Sequence, residues 1–285
     1  LFLSVGSRKV RPLLISGWTL NRFRNRHPSE GWDPNQSSDV RDIWVRPQPG
    51  LGRPVVLFLL LAMATTPANA QSYQCRAPSG LSAPAERKPA SEPRRIKPVT
   101  GYTLALSWSP EFCRTRKDSR RDKTQCSGDD GSFAFILHGL WPDTRGPAYP
   151  QYCASTRPLP PAVVKRNFCM MPSTRMMAHE WAKHGTCMTK RPETYFRVSR
   201  IMFDAVRFPD MDRLSRKPLT AGQFRNAFAA VNEGLQPNML RLKINERGWL
   251  QEVKLCLGKN FRPQRCPAYM RAVPPDTAVK IWRGG

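Results

Sequence analysis

The chain has 285 residues, 40% of them hydrophobic, enough for a real core within one or two domains. Its formal charge of +25 points to a polyanionic partner: nucleic acid, an acidic glycan or a membrane surface. None of its eight cysteines sits in a C-x-x-C or C-x-x-H pair, which argues against a zinc module and for disulfides formed in an oxidising compartment. Eight cysteines allow 105 pairings, and spacing alone does not choose among them.

In chain order, residues 1–44 carry scattered Arg, Pro and Trp without a period, and the first methionine is Met63. They read as an over-extended start or a disordered leader. Residues 45–70 have the physical pattern of a signal peptide. Arg46 and Arg53 give a positive flank, VVLFLLLAMA from Val55 to Ala64 an apolar core, and Ala68-Asn69-Ala70 a small-x-small cleavage site. That core is shorter than the roughly 20 apolar residues a spanning helix needs, so the expectation is a secreted or periplasmic protein without membrane insertion. Residues 1–70 hold nine Lys/Arg and four Asp/Glu. Of the 46 basic and 21 acidic residues, 37 and 17 therefore remain beyond Ala70, a surplus of +20.

Residues 71–98 are rich in Pro, Ala and charge and read as a linker or loosely attached arm. From residue 99 to 285 the chain reads as one domain. Tyr102–Trp108 (YTLALSW) and Ser132–His138 (SFAFILH) alternate with period two, as neighbouring strands would. Met176–His184 (MMAHEWAKH) predicts a helix with Ser173 as N-cap and Gly185 as its stop. Thr220–Gly234 predicts a second, capped by Thr220, with Phe224, Ala227, Phe228 and Val231 as its apolar stripe. Trp249–Leu257 predicts a late strand. Strands and helices mixed without a βαβ rhythm imply an α+β fold.

Only four histidines exist. His27 lies in the leader; the others fall in FILHGLWPD and HEWAKHGTC. At 100° per residue, His179, Lys183, Glu180 and His184 lie within an arc of about 140° on the predicted helix, opposite Met177, Ala178 and Trp181. The apolar side packs inward and the other presents two imidazoles, a carboxylate and an ammonium. Glu180 and His184, four apart, are expected to interact, and Lys183 to hold an anion between the imidazoles. The histidine spacing is five, not the four of H-E-x-x-H, and Lys183 would repel a cation, so a metal site is disfavoured. His138 is read as ending its strand, with Gly139 allowing a tight departure and Pro142 fixing the backbone beyond.

Two histidines, a lysine and a glutamate suit RNA cleavage. RNA carries its own nucleophile, the 2′-hydroxyl, so one neutral histidine, one protonated histidine and cationic charge near the phosphoryl group suffice.

These segments resemble the paired active-site motifs of the ribonuclease T2 family: Phe135-Ile136-Leu137-His138-Gly139-Leu140-Trp141-Pro142, and His179-Glu180-Trp181-Ala182-Lys183-His184-Gly185-Thr186-Cys187. Leu106-Ser107-Trp108-Ser109-Pro110 followed by Cys113 is similar to the family's early strand, and the resemblance spans residues 99–270. It implies an α+β fold with a central antiparallel sheet, packed helices and disulfides. It implies His184 as general base, His138 as general acid, His179 as phosphate binder, and Glu180 and Lys183 as stabilisers of the transition state. Trp141 and Tyr149 resemble aromatic positions that sandwich a base, with Asp143 able to accept from an amino group. The implied pairings are Cys153–Cys187, Cys113–Cys126, Cys256–Cys266 and Cys75–Cys169, each contributing about 3 kcal/mol.

The expectation is an endoribonuclease of low base preference that leaves 2′,3′-cyclic phosphates and then 3′-phosphates. RNA is its partner, it needs no metal or other cofactor, no membrane is involved, and it acts as a monomer. Two alternatives are a non-catalytic basic RNA-binding protein and a metal hydrolase built on His179 and Glu180.

Overall fold

The structure is a computed structural model that describes residues 72–284. The leader, the signal segment and His27 lie outside the described residues.

The described residues form eight strands: β1 (Ser72–Tyr73), β2 (Gly101–Trp108), β3 (Ser132–Phe133), β4 (Phe135–Asp143), β5 (Leu219–Thr220), β6 (Leu240–Ile244), β7 (Leu250–Gly258) and β8 (Ala278–Val279). The helices are α1 (Ser109–Cys113), α2 (Lys123–Cys126), α3 (Pro161–Asn167), α4 (Thr174–Lys183), α5 (Pro192–Asp204), α6 (Met211–Ser215) and α7 (Ala221–Ala230). The central sheet has order β4-β2-β7-β6, antiparallel throughout. The fold is therefore α+β. Of the second period-two segment, residues from Phe135 onward lie beside β2 as expected, but Ser132–Phe133 forms the separate strand β3, which pairs with β1. Among the described residues no helix is long and apolar enough to cross a membrane.

Register explains the two faces of the sheet. Leu106 faces Leu137 on one side and Val253 on the other, and Leu104 faces Leu140 and Leu255. These side chains are buried with Phe196 and Phe203 of α5 and Phe224 and Phe228 of α7 in one apolar core. Each such side chain contributes about 1.5–3 kcal/mol by leaving water. The α7 stripe is only partly as expected. Thr220 caps the helix in a capping box with Gln223, but Val231 is exposed, and Arg225 is buried with its guanidinium on the Val273 carbonyl at 3.0 Å.

The other face carries Thr103, Ala105 and Ser107 of β2 opposite Cys256, Lys254 and Glu252 of β7. On β4 the register slips: Ala105 faces Gly139 but Leu106 faces Leu137, so His138 is the extra residue of a bulge. His138 thus does not end a strand, because β4 runs on through Gly139 and Pro142 to Asp143. The slip has a consequence. Residues three apart on a regular strand point to opposite faces, yet here the rings of His138 and Trp141 meet edge to face at 5.2 Å.

All four expected disulfides are present: Cys75–Cys169, Cys113–Cys126, Cys153–Cys187 and Cys256–Cys266. Cys153–Cys187 ties the loop after β4 to the turn that follows α4. Residues 72–98 are not a loose arm. Beyond Cys75–Cys169, Ala83 is buried, and its carbonyl accepts from Leu159 N–H at 2.9 Å. Arg95 and Gln151 exchange both backbone bonds at 2.9 and 3.0 Å. The prolines keep this segment extended, and it is laid down along the domain.

Candidate active site

Helix α4 starts at Ser173, whose hydroxyl accepts from Met176 N–H at 3.2 Å, a cap contributing about 1 kcal/mol. It ends one residue earlier than expected. His184 is the C-cap, and Gly185–Cys187 continue as a 3-10 turn. A side chain at Gly185 would run into the Trp181 and Tyr195 rings, so glycine here serves close packing. Tyr195 from α5 in turn bonds the backbone of Leu140 with its hydroxyl, locking β4 to the helical layer.

Only part of the polar side of α4 faces water. The rest packs on β4, so Glu180 is 1% exposed and His184 5%, while the His179 side chain is 35% exposed. Glu180 sits beneath His138, with Oε1 3.6 Å from His138 Nε2, and its Oε2 accepts from the Trp141 indole N–H at 2.7 Å. A Cβ on Gly139 would collide with that carboxylate, which is the physical reason for glycine within this strand. The expected pairing of Glu180 with His184 is absent: the carboxylate turns to His138 instead, and among the described residues His184 has no carboxylate partner. Burial pushes the Glu180 carboxyl pKa up against the opposing pull of His138, His179 and the Trp141 bond.

The two central histidines occupy opposite environments. His138 has 34% of its side chain exposed, and Glu252 stands 2.5 Å from its Nδ1. Burial pulls its pKa down, but the Glu252 bond and the charges of Glu180 and Glu252 outweigh burial, and the pKa is raised. His184 is lowered well below its ordinary value, first by burial, then by Lys183, His179 and His138. At neutral pH His138 therefore tends toward the charged form and His184 is neutral.

Trp141 and Tyr149 are brought to the site, but both rings lie against His184, at 5.4 Å and 29° and at 5.6 Å and 37°. Asp143, at the end of β4, accepts from the Thr103 hydroxyl at 2.5 Å, and burial raises its pKa. His179 and Lys183 reach the site's edge. Each meets a carboxylate from the segment before β2: His179 Nδ1 lies 2.6 Å from Glu86, and Lys183 Nζ 2.7 Å from Glu92. Among the described residues no three His, Cys, Asp or Glu side chains form a group that could hold a metal ion.

Sequence reasoning missed Glu252, Lys254, Glu86 and Glu92. Lys254 lies 3.3 Å from Glu252 and 4.9 Å from the Trp141 ring centre. The alternation Glu252-Val253-Lys254-Leu255 in the predicted late strand placed two charges on one face beside apolar neighbours, and that was the available signal.

Comparisons with known proteins give the family and the fold. A probable ribonuclease of Haemophilus influenzae is 29% identical over 180 residues, 59% of this chain and 61% of that protein, so the alignment spans under two thirds of its length. A ribonuclease of Aeromonas hydrophila is 36% identical over 169 residues, 55% of this chain and 71% of the relative. Among solved structures, trichomaglin, an S-like ribonuclease, shares the fold at a TM-score of 0.52 and 21% identity, covering 64% of this chain and 97% of its own. The sequence profile of the ribonuclease T2 family matches residues 100–266, the stretch that contains the central sheet, α4 and all three described histidines, and the chain belongs to that family.

Proposed function

We propose that this chain is a metal-independent endoribonuclease that cleaves single-stranded RNA by transphosphorylation. His184 removes the 2′-hydroxyl proton, and the 2′-oxygen attacks the adjacent phosphorus. The bond to the 5′-oxygen breaks, and His138 donates the proton that oxygen needs. The product is a 2′,3′-cyclic phosphate, which the same two residues with exchanged roles hydrolyse to a 3′-phosphate. His179 and Lys183 bind the phosphoryl oxygens, and Glu180, buried beneath His138, supports the transition state through the charge of that imidazole. Trp141, Tyr149 and Asp143 border the base. Stacking accepts any base, so preference is low.

The observation that carries this reading is the opposed surroundings of His138 and His184: Glu252 and Glu180 flank the first, which raises its pKa, while the second is buried beside Lys183 with no carboxylate partner among the described residues, which lowers its pKa. Those are the directions an acid and a base need at the same pH. The test is RNA cleavage by His138→Ala and His184→Ala. Each should lose activity by about 10²–10⁴-fold, and full activity in either would refute its role. A non-catalytic RNA-binding protein would instead bind with steep salt dependence and leave RNA intact.

A further inference from the structure

Glu252 lies outside both histidine segments, on β7, yet it makes the closest contact to His138. Glu252 is 4% exposed as a residue. Oε2 is 2.5 Å from His138 Nδ1, and Oε1 is 3.3 Å from Lys254 Nζ. The sheet register builds this contact. Glu252 faces Ser107 on β2, Ser107 faces Ile136 on β4, and the bulge at His138 lets the imidazole reach back across β2. The Ser107 hydroxyl, 3.5 Å from the same Nδ1, borders the pair.

We infer that Glu252 is a positioning residue for the acid step: it holds the Nδ1–H of His138, fixes the ring, and leaves Nε2–H as the proton that can be given away. This rests on the proposed reaction. When the 5′-oxygen leaves with the electron pair of its bond to phosphorus, it takes the Nε2 proton. The ring becomes neutral and keeps Nδ1–H on Glu252. Nε2 is free for this because its nearest carboxylate oxygen, on Glu180, is at 3.6 Å, too far for a hydrogen bond. Glu252 stays anionic despite burial because His138 and Lys254 both hold its pKa down. The groups around His138 are Glu252 and Lys254 from β7, Glu180 and His184 from α4 and its cap, Trp141 on its own strand, and neutral Ser107 from β2. Among the described residues, Glu252 alone bonds Nδ1 through a charge.

The test is Glu252→Gln. RNA cleavage should fall about 10–100-fold, the range for an outer partner of a functional histidine, and the high-pH limb of the rate profile should move to lower pH. With a nucleoside 3′-nitrophenyl phosphate, whose leaving group needs no proton, most of that loss should vanish. A purely structural role would cost both substrates equally and leave the limb in place, and that result would overturn the inference. Lys254→Met gives the opposite sign and guards against misfolding of E252Q. Removing the cation strengthens the Glu252 field, so the limb should move to higher pH; a limb that stays or moves down overturns the inference. Titration of His138 by NMR without substrate separates the two levels. Wild-type protein that leaves RNA intact would sink the functional reading, whereas active wild type with an unmoved His138 titration in E252Q would sink this inference alone.

Discussion

Trp141 on β4 donates its indole N–H to Glu180 on α4 at 2.7 Å, and the same ring lies against His184 one turn further along. One side chain thus sets the distance between the strand that carries His138 and the helix that carries the rest. Trp141→Phe should keep part of the ring contact but leave a buried carboxylate oxygen without its donor. The expected cost is about 1–3 kcal/mol of stability, read by denaturant unfolding, with a lower kcat. Unchanged stability would show that the bond carries no weight.

Gly139→Ala tests the closeness of strand and helix. The added methyl would meet the Glu180 carboxylate; β4 is held to α5 by the Tyr195–Leu140 bond, and α4 packs its Trp181 ring on the same Tyr195. The expected cost is about 1–3 kcal/mol from overpacking, with loss of RNA cleavage. A fully active, equally stable variant would mean that the carboxylate can move aside.

The segment before β2 lies across the proposed phosphate-binding pair, with Glu86 on His179 and Glu92 on Lys183. On that reading an incoming phosphate must share or displace these carboxylates. The double variant Glu86→Gln, Glu92→Gln should bind RNA more tightly, with KM falling several-fold at low salt. The gain should shrink as salt screens the phosphate contacts. A KM that rises would show instead that the carboxylates orient His179 and Lys183 for binding.

Buried His184 links stability to pH. Its folded pKa is depressed, so below about pH 6.5 the unfolded chain takes up a proton that the folded chain refuses. Its contribution is therefore complete above the unfolded value and is lost as pH falls toward the folded one. His184→Gln should flatten the stability curve on that acidic side, in urea titrations from pH 7 to pH 4.5. His138 has the opposite sign: its raised pKa adds stability that is lost as pH rises through the folded value. An identical acid slope in wild type and His184→Gln would contradict the neutral, buried state of this ring.

Much of this was legible in the sequence. Period-two alternation located β2 and β4, Ser173 and Thr220 located two helix starts, and His138, His179, Glu180, Lys183 and His184 do converge. What escaped is tertiary in origin. The bulge at His138 depends on pairing with β2, and nothing in FILHGLWPD alone announces it. A helical wheel put Glu180 on a polar face, but only the packing of α4 on β4 turns that part of the face inward. Glu252 lies 114 residues from His138, and no local pattern joins them. The Pro-rich composition of residues 71–98 suggested a linker or loosely attached arm and was silent on where Cys75, Arg95 and two glutamates pin the described part of it, residues 72–98.

The most direct test is digestion of an RNA oligonucleotide in excess EDTA, with the new 3′ end identified by mass spectrometry. A 2′,3′-cyclic phosphate should appear first and a 3′-phosphate later, and a single 2′-deoxy nucleotide on the 5′ side of a bond should block its cleavage. Activity abolished by EDTA, 3′-hydroxyl ends, or cleavage that ignores the missing 2′-hydroxyl would contradict a reaction run by His138 and His184.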